Sequence, residues 1–561
     1  MVRIQSVKSL FLARKRKKTP ASVLVVGGGP AGLTAAYELV KRGSKAVVLE
    51  QSKQVGGIAR TEVYKGYRFD IGGHRFFTKV DEVNQLWQEV MGNRFIKVPR
   101  LSRIYYDGKF FSYPLQLLDT LSNLGIWESF RILMSYVKIK VKPLGVEESL
   151  EDWVTNRFGR RLFQTFFKTY TEKVWGIPCD KIQADWAAQR IQGLSLRTAV
   201  MNALFQVNNT KTLIKEFDYP VLGPGEMWDR FTTAIEARGG EVHLESSVVR
   251  LHRQGQRITH AIVRQGETLV EMPTEQVISS MPVTTLIRQL EPAAPLEVQT
   301  AAKALKYRDF LIVPIVIDRD DLFPDNWIYI HSPEVKVGRI QNFKNWSAAM
   351  VPESGKTCLG MEYFCSQGDE LWEMSNDDLI TLAKQEIEAL GLATAAEVSD
   401  GTVIRQPKAY PVYDRDYREN LEVIQHYLES FENLQTIGRN GMHRYNNQDH
   451  SMLTAVLAVQ NIFGGNHDLW SVNTERSYHE NFTREEWASR QQEAQEMEAL
   501  MTQPASVEQI HEPIDSPESI YPSAASSSPV KYSYASPNVG SSPAKHSHAS
   551  RHESRHEVVT H

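Results

Sequence analysis

The stretch from Ser22 to Phe77 constrains this chain more than any other. Val23 to Val26 form a short, unbroken apolar run, the pattern of a parallel strand buried on both faces. Gly27, Gly29 and Gly32 follow in the spacing G-x-G-x-x-G, with Pro30 and Ala31 inside the motif, and an apolar-periodic helix begins at once. Gly27 permits a tight turn, Gly29 lets a pyrophosphate approach the backbone, and Gly32 lets helix and strand pack closely. The free N–H groups and positive dipole end of that helix then face the pyrophosphate. A second apolar strand, Ala46 to Leu49, ends at Glu50, ~20 residues past the glycines, where a carboxylate is expected to bond a ribose hydroxyl. Glycine turns are common, so the motif alone is weak. With the strand, the helix and the acid around it, it predicts a dinucleotide site.

At 561 residues the chain has room for two or three structural units. Its 64 Lys and Arg nearly balance 67 Asp and Glu, so no electrostatic argument favours nucleic acid as a partner of the folded body. Three cysteines, Cys179, Cys358 and Cys365, form no C-x-x-C pair. That odd number argues against a disulfide framework or a metal site and fits a reducing, cytoplasmic setting. No apolar run approaches the ~20 residues that span a bilayer. The longest strand-like run, Phe310 to Ile317, contains Pro314 and is expected at a sheet edge or bulge. Residues 14–18 are all basic and follow a short apolar patch, the reverse of a secretory signal. They read as a solvated leader with weak attraction to an anionic membrane surface. From residue 503 the composition turns to Ser, Pro, His and Ala, too poor in large apolar residues to offset ordering entropy.

Between these ends the chain alternates element types. Val55-Gly56-Gly57 with Arg60, and Gly72-Gly73 with His74, are either cofactor-approach turns, with Arg60 near phosphate, or two plain hairpin turns. Arg100 to Tyr113 alternates like a strand pair, and the region to about Val207 reads as helical. In it, Trp153, Phe158, Leu162, Phe166 and Phe167 recur at helical spacing, as core residues do. Glu241 to Arg253 and Ile258 to Arg264 read as paired strands, and Val277 to Pro282 as a buried strand leaving its sheet at a proline. A sheet resumed so late implies a discontinuous nucleotide-binding domain. Residues 300–400 carry antiparallel-sheet signals. Near the end, Leu434 to Ile437 leads through a Gly- and Asn-rich loop into a helix from about Ser451, with Asn447 or Asp449 as N-cap. Such a helix N-terminus would stabilise an anionic reduced flavin ring. No second G-x-G-x-x-G follows a strand, so electrons would come from free NAD(P)H, a partner or the substrate.

The expected fold class is α/β. A Rossmann-type dinucleotide-binding domain is assembled from residues 21–100, 210–300 and 401–470. A helical domain at 113–209 is inserted in it, and an antiparallel-sheet substrate domain takes residues 101–112 and 301–400. Residues 1–20 and 503–561 are expected to be disordered.

Several segments together resemble the flavin-dependent superfamily of amine oxidases, carotenoid desaturases and UDP-galactopyranose mutases, and the mutases most. The specific matches are FDIGGH, FSYPLQ, YTEKVWGIP, DWAAQRI, NWIYI with GRIQNF, AYPV, and GR-x-G…RY…NQDHS. The resemblance implies FAD, used reduced, with an external donor such as NAD(P)H. It implies His74 against the flavin near its reactive N5, Arg190 in the active site, and Arg339 gripping a substrate diphosphate. It places Trp327 and Tyr329 at the substrate, Tyr410 and Tyr445 on the diphosphate, and Arg439 at the flavin. Gly57, Arg60, Gly73, Val248, Asn447 and Gln448 complete the expected cofactor contacts. Arginine forks, tyrosine hydroxyls and aromatic rings suit a UDP-sugar. The implied activity interconverts pyranose and furanose forms of a UDP-sugar through a reduced-flavin N5–sugar adduct. The alternative is an amine-oxidase-like or desaturase-like oxidoreductase acting on an amine, a lipid or another small molecule.

Overall fold

In the computed structural model, β1 (Ser22–Val26) is the central strand of a five-stranded parallel sheet, with Val23 to Val26 all buried. The structure describes residues 22–113, 115, 117–184, 212–213, 215–473 and 481–482. Arg190 and the DWAAQRI motif lie outside the described residues, as do the leader and the tail.

The sheet order is Glu241–His243, β2 (Lys45–Leu49), β1, Gln276–Ser279, Leu434–Thr436, and every neighbouring pair is parallel. The chain therefore steps outward from β1 to one side and later returns to fill the other. Where those directions part, between the carboxyl ends of β1 and Gln276–Ser279, loops diverge and a crevice opens. The helix α1 (Pro30–Lys41) is buried continuously from Ala31 to Val40 and packs on the Gln448–Ile462 helix. Glu241–His243, expected to continue into the next strand pair, joins this parallel sheet instead. The antiparallel partners are Ser246–Gln254 and Arg257–Gln265. His243 lies at the sheet's edge, and the two-residue step to Ser246 lets the chain leave the layer.

A second, eight-stranded sheet is antiparallel except where Trp327–Ile330 runs parallel to Ser102–Tyr106. Tyr307–Ile317 lies in its interior, not at an edge as Pro314 suggested, and its register is interrupted between Arg308 and Phe310 and between Val316 and Ile317. It pairs with Thr357–Cys365 on one side and with Val398–Gly401 and Ile404–Pro411 on the other. The proline is tolerated because its nitrogen meets the gap between those two shorter strands, where only Thr402 N–H donates to the Pro314 carbonyl (3.0 Å). Residues 404–411, expected with the nucleotide-binding part, run in this sheet.

The inserted region supplies helices at Leu117–Leu124, Ile126–Val141 and Leu150–Phe158, the last opened by a Ser149/Asp152 capping box. Trp153, Phe158, Leu162 and Phe166 are buried there, as their spacing predicted. Among the described residues no helix is long and apolar enough to cross a membrane, and no cluster of His, Cys, Asp and Glu could hold a metal ion.

Candidate functional site

The crevice opens into a cavity of about 1280 Å³. Single small-molecule sites hold ~300–1,000 Å³, so there is room for a dinucleotide and a second ligand.

One end of the cavity is main chain. Gly27 has φ +103°, and its N–H donates to the Leu49 carbonyl at 2.8 Å. A Cβ on Gly32 would lie 1.8 Å from the Gly27 carbonyl oxygen, which is why helix and strand can close only on glycine. The Gly28 N–H donates to Glu50 Oε2 at 2.7 Å, while Glu50 Oε1 accepts from the Ser52 N–H and hydroxyl at 2.8 and 2.7 Å. A carboxylate offers about four lone-pair sites, so the braced Glu50 retains capacity for a ribose hydroxyl. Gly56 N–H donates to the Gly28 carbonyl at 2.8 Å, and a Cβ on Gly29 would come within 3.7 Å of Gly57 Cα. The second glycine turn is thus docked on the first and is no isolated hairpin. Arg60 donates to Glu62, to the Gly57 carbonyl and to Gln406, bracing that turn. Pro30, Ala31 and Val248 also line the wall. The Gln448–Ile462 helix starts three residues earlier than expected, with Asn447 as N-cap. Gln448 Oε1 is buried without a hydrogen-bond partner among the described residues.

The other end is side chain. His74, Arg339, Tyr410, Arg439 and Tyr445 line it, with Gly73 beside His74. The His74 Nδ1 lies 3.2 Å from the Gly72 carbonyl. We assign the proton to Nδ1 on that contact, which leaves Nε2 as an acceptor. Burial, then the Arg439 and Arg339 charges, push the imidazole pKa down to about 3, so it is neutral. Arg339 pairs with the fully buried Glu362, which also accepts from Gln341 at 2.9 Å. Burial raises the Glu362 pKa while Arg339 pulls it down, and the net direction is upward. For Arg339 burial opposes the charge, but Glu362 and the nearby tyrosines outweigh it and hold the pKa high. The Tyr410 and Tyr445 rings stack at 5.8 Å, and the Arg439 guanidinium lies 4.9 and 4.1 Å from their centroids.

Trp327 and Tyr329 do not line this cavity. Their strand is interior to the antiparallel sheet, so both rings meet neighbours. Trp327 stacks on Trp346 at 5.4 Å, and Tyr329 packs on Tyr113 at 4.9 Å. Arg75, which the sequence reading passed over, lines the cavity and sits 5.1 Å over the Trp327 ring. Gly28 and Lys408 were also missed. The x of a G-x-G motif carries no expectation, and Lys408 is marked only by its place two residues before Tyr410. Its φ of +53° and a 3.1 Å bond to Thr285 fix it on the wall. Lys53, Arg60, Arg75, Arg288, Arg339, Arg405, Lys408 and Arg439 face only Glu50, Glu62 and Asp449 among the charged lining residues, a balance that favours anions.

Residues 30–408 match the family described as flavin containing amine oxidoreductase. Coproporphyrinogen III oxidase from Mycobacterium bovis is 23% identical over 418 residues, 70% of this chain and 88% of that protein. An inactive all-trans-retinol 13,14-reductase from Danio rerio is 52% identical over 50 residues, 9% of this chain and only 8% of that protein's length. Among solved structures, reduced UDP-galactopyranose mutase superposes with a TM-score of 0.70 at 22% identity, covering 82% of this chain and 100% of that one. A redesigned putrescine oxidase gives 0.55 at 15% identity, covering 79% and 99%. At such identities the likeness is one of fold. The family's FAD fits the residues present, because a glycine cradle that any Cβ would fill, the braced Glu50 and the orphaned Gln448 oxygen all meet one cavity.

Proposed function

The chain belongs to the flavin containing amine oxidoreductase family, and from that premise we propose that it is an FAD-dependent enzyme rearranging a UDP-sugar between pyranose and furanose forms. The observation that supports this reading is the group of cations and tyrosines around a neutral histidine, in a cavity larger than a dinucleotide needs. Reduced FAD, when bound, supplies a nucleophilic ring nitrogen for an anomeric carbon with no net redox change. Gly27, Gly28, Gly29 and Glu50 hold the dinucleotide, and Arg60 and Gln448 brace its site. Tyr410 and Tyr445 bind the substrate diphosphate together with Arg339, whose charge Glu362 orients, and Arg439 lies at the flavin. His74 stays neutral beside the reacting ring and offers Nε2 as a proton acceptor. Its neutrality removes a cation that would otherwise compete for the leaving phosphate. Free NAD(P)H keeps the flavin reduced.

A second reading, oxidation of an amine, a lipid or another small molecule, is favoured by two features. Arg339 is already paired with Glu362, and Trp327 and Tyr329 do not line the cavity. Incubation with UDP-galactofuranose under dithionite, followed by nucleotide-sugar chromatography, separates the two. The mutase reading expects conversion that requires reduced flavin and consumes no stoichiometric donor. No conversion, with peroxide released on amines or dye-linked oxidation of lipids, replaces it with the second.

A further inference from the structure

The Ile126–Val141 helix turns its apolar face outward. Ile126, Trp127, Phe130, Leu133, Met134, Val137 and Val141 are all exposed, Ile126 at 91%, Trp127 at 71% and Val141 at 79%. At ~100° per residue these positions fall within an arc of about 120°, one continuous stripe along the helix. The opposite side meets the protein, with Ile132 buried and Arg161 of the neighbouring helix bonded to Glu128. The helix is therefore amphipathic with its polarity reversed relative to a helix that covers a core. Soluble monomers rarely expose contiguous apolar surface of this kind. The stripe continues past the helix end through the exposed Leu144 and Val146.

Charge identifies the occupant. Lys138 and Lys142 flank the stripe on one side and Lys140, whose ammonium also donates to the Asn156 carbonyl at 3.0 Å, on the other, all exposed and clustered in its last turns. No acidic residue lies between Glu128 and Glu147 in the sequence. A second copy packed antiparallel on the stripe would meet these lysines with only one acid of its own helix, Glu128, which Arg161 already holds. A protein groove complementary to the stripe would need a row of acids. An anionic lipid surface satisfies both features at once, because acyl chains take the apolar stripe and headgroup phosphates take the flanking ammonium groups. Trp127 and Phe130, stacked at 6.2 Å, have the size and polarity of residues that sit at the headgroup boundary. We propose that this helix docks the enzyme on the surface of an anionic bilayer, lying in the interface without crossing it.

The test is co-sedimentation of the full-length holoenzyme with phosphatidylcholine vesicles, with and without 30 mol% phosphatidylglycerol (roughly a PS/PI-like anionic share). Binding to the anionic vesicles that weakens with salt is expected. The surface pair Phe130→Glu with Val137→Glu should lower partitioning about tenfold with flavin content unchanged. The pair Lys138→Gln with Lys142→Gln should abolish the preference for anionic lipid while leaving the fold intact. Failure of the parent to bind overturns the proposal, and so does unchanged binding by both variants, which would place the contact in the basic leader. A parent that sediments as a dimer and is made monomeric by Phe130→Glu with Val137→Glu assigns the stripe to a copy of the chain instead.

Discussion

At the Gly27 end of the cavity the wall is backbone drawn from one short stretch, whereas at the Arg339 end it is side chains from segments far apart in the chain. The first end works by the absence of side chains, since each glycine leaves space or permits a turn that a Cβ would block. The second works by mutual compensation, with Arg339 on Glu362, Arg439 on two tyrosines, and His74 kept neutral between two guanidiniums. A site made of backbone fails by steric collision. A site made of compensated charges fails when one partner is removed.

The sharpest break between the two ends is Gly32→Ala. Its Cβ would overlap the Gly27 carbonyl, so the helix must move off the strand. We expect a loss on the order of 4 kcal/mol in denaturant unfolding and purification without flavin. Retention of flavin with a normal midpoint would mean the close approach is not needed. At the other end, Arg339→Ala leaves Glu362 buried and unpaired and should cost about 3 kcal/mol. Arg339→Met combined with Glu362→Leu should recover most of that stability, yet bind UDP no better than Arg339→Ala in calorimetry. If the single variant binds UDP as tightly as the parent, the diphosphate assignment is wrong.

The pH dependence of stability distinguishes compensation from simple burial. His331 and His443 are buried, with pKa values pushed down by burial to about 3 and about 4. Their unfolded forms take up protons first as pH falls below 6.5, so stability present above that value is lost toward pH 4. The slope is about 1.4 kcal/mol per pH unit for each histidine. Asp70 behaves oppositely. Burial raises its pKa from 3.8 to about 8 against the hydrogen bonds of Tyr219 and Thr61, so its contribution is complete below pH 3.8, falls as pH rises from there, and is gone above about 8. Asp70→Asn should remove that opposing slope, steepening the fall of the midpoint below pH 6.5 and flattening the curve between 6.5 and 8. The smallest expected effect is at Tyr445. Tyr445→Phe keeps the ring under Arg439 but removes the hydroxyl, and should weaken UDP binding about tenfold without moving the unfolding midpoint. An equal loss of stability would show the hydroxyl to be structural.

Much of the nucleotide end was legible because its physics is local. A buried strand, three spaced glycines and a helix require only neighbours in sequence, and Glu50 follows within one βαβ unit. The antiparallel sheet was legible as a class but not in its order. Pro314 read as an edge signal because a sequence cannot reveal that its missing N–H would fall in a gap between two partner strands. Trp327 and Tyr329 are adjacent to the right segments, yet folding buries Trp327 on Trp346 and packs the half-buried Tyr329 on Tyr113 and Tyr170. The Ile126–Val141 helix is the plainest case. The sequence reads there only as part of a helical region, and packing alone decides which face meets the protein.

The sequence by itself determined where backbone must approach a ligand, because glycine spacing acts through steric limits that no tertiary contact can relax. It also determined the strand and helix classes, through periodicity. Tertiary structure alone decided how each cation of the cavity is held. Arg60 and Arg339 are held by acids, Arg75 lies over Trp327, and Lys408 reaches the cavity from a strand position with φ +53°. A charge acts through space, so its role follows from neighbours that the linear chain does not place beside it.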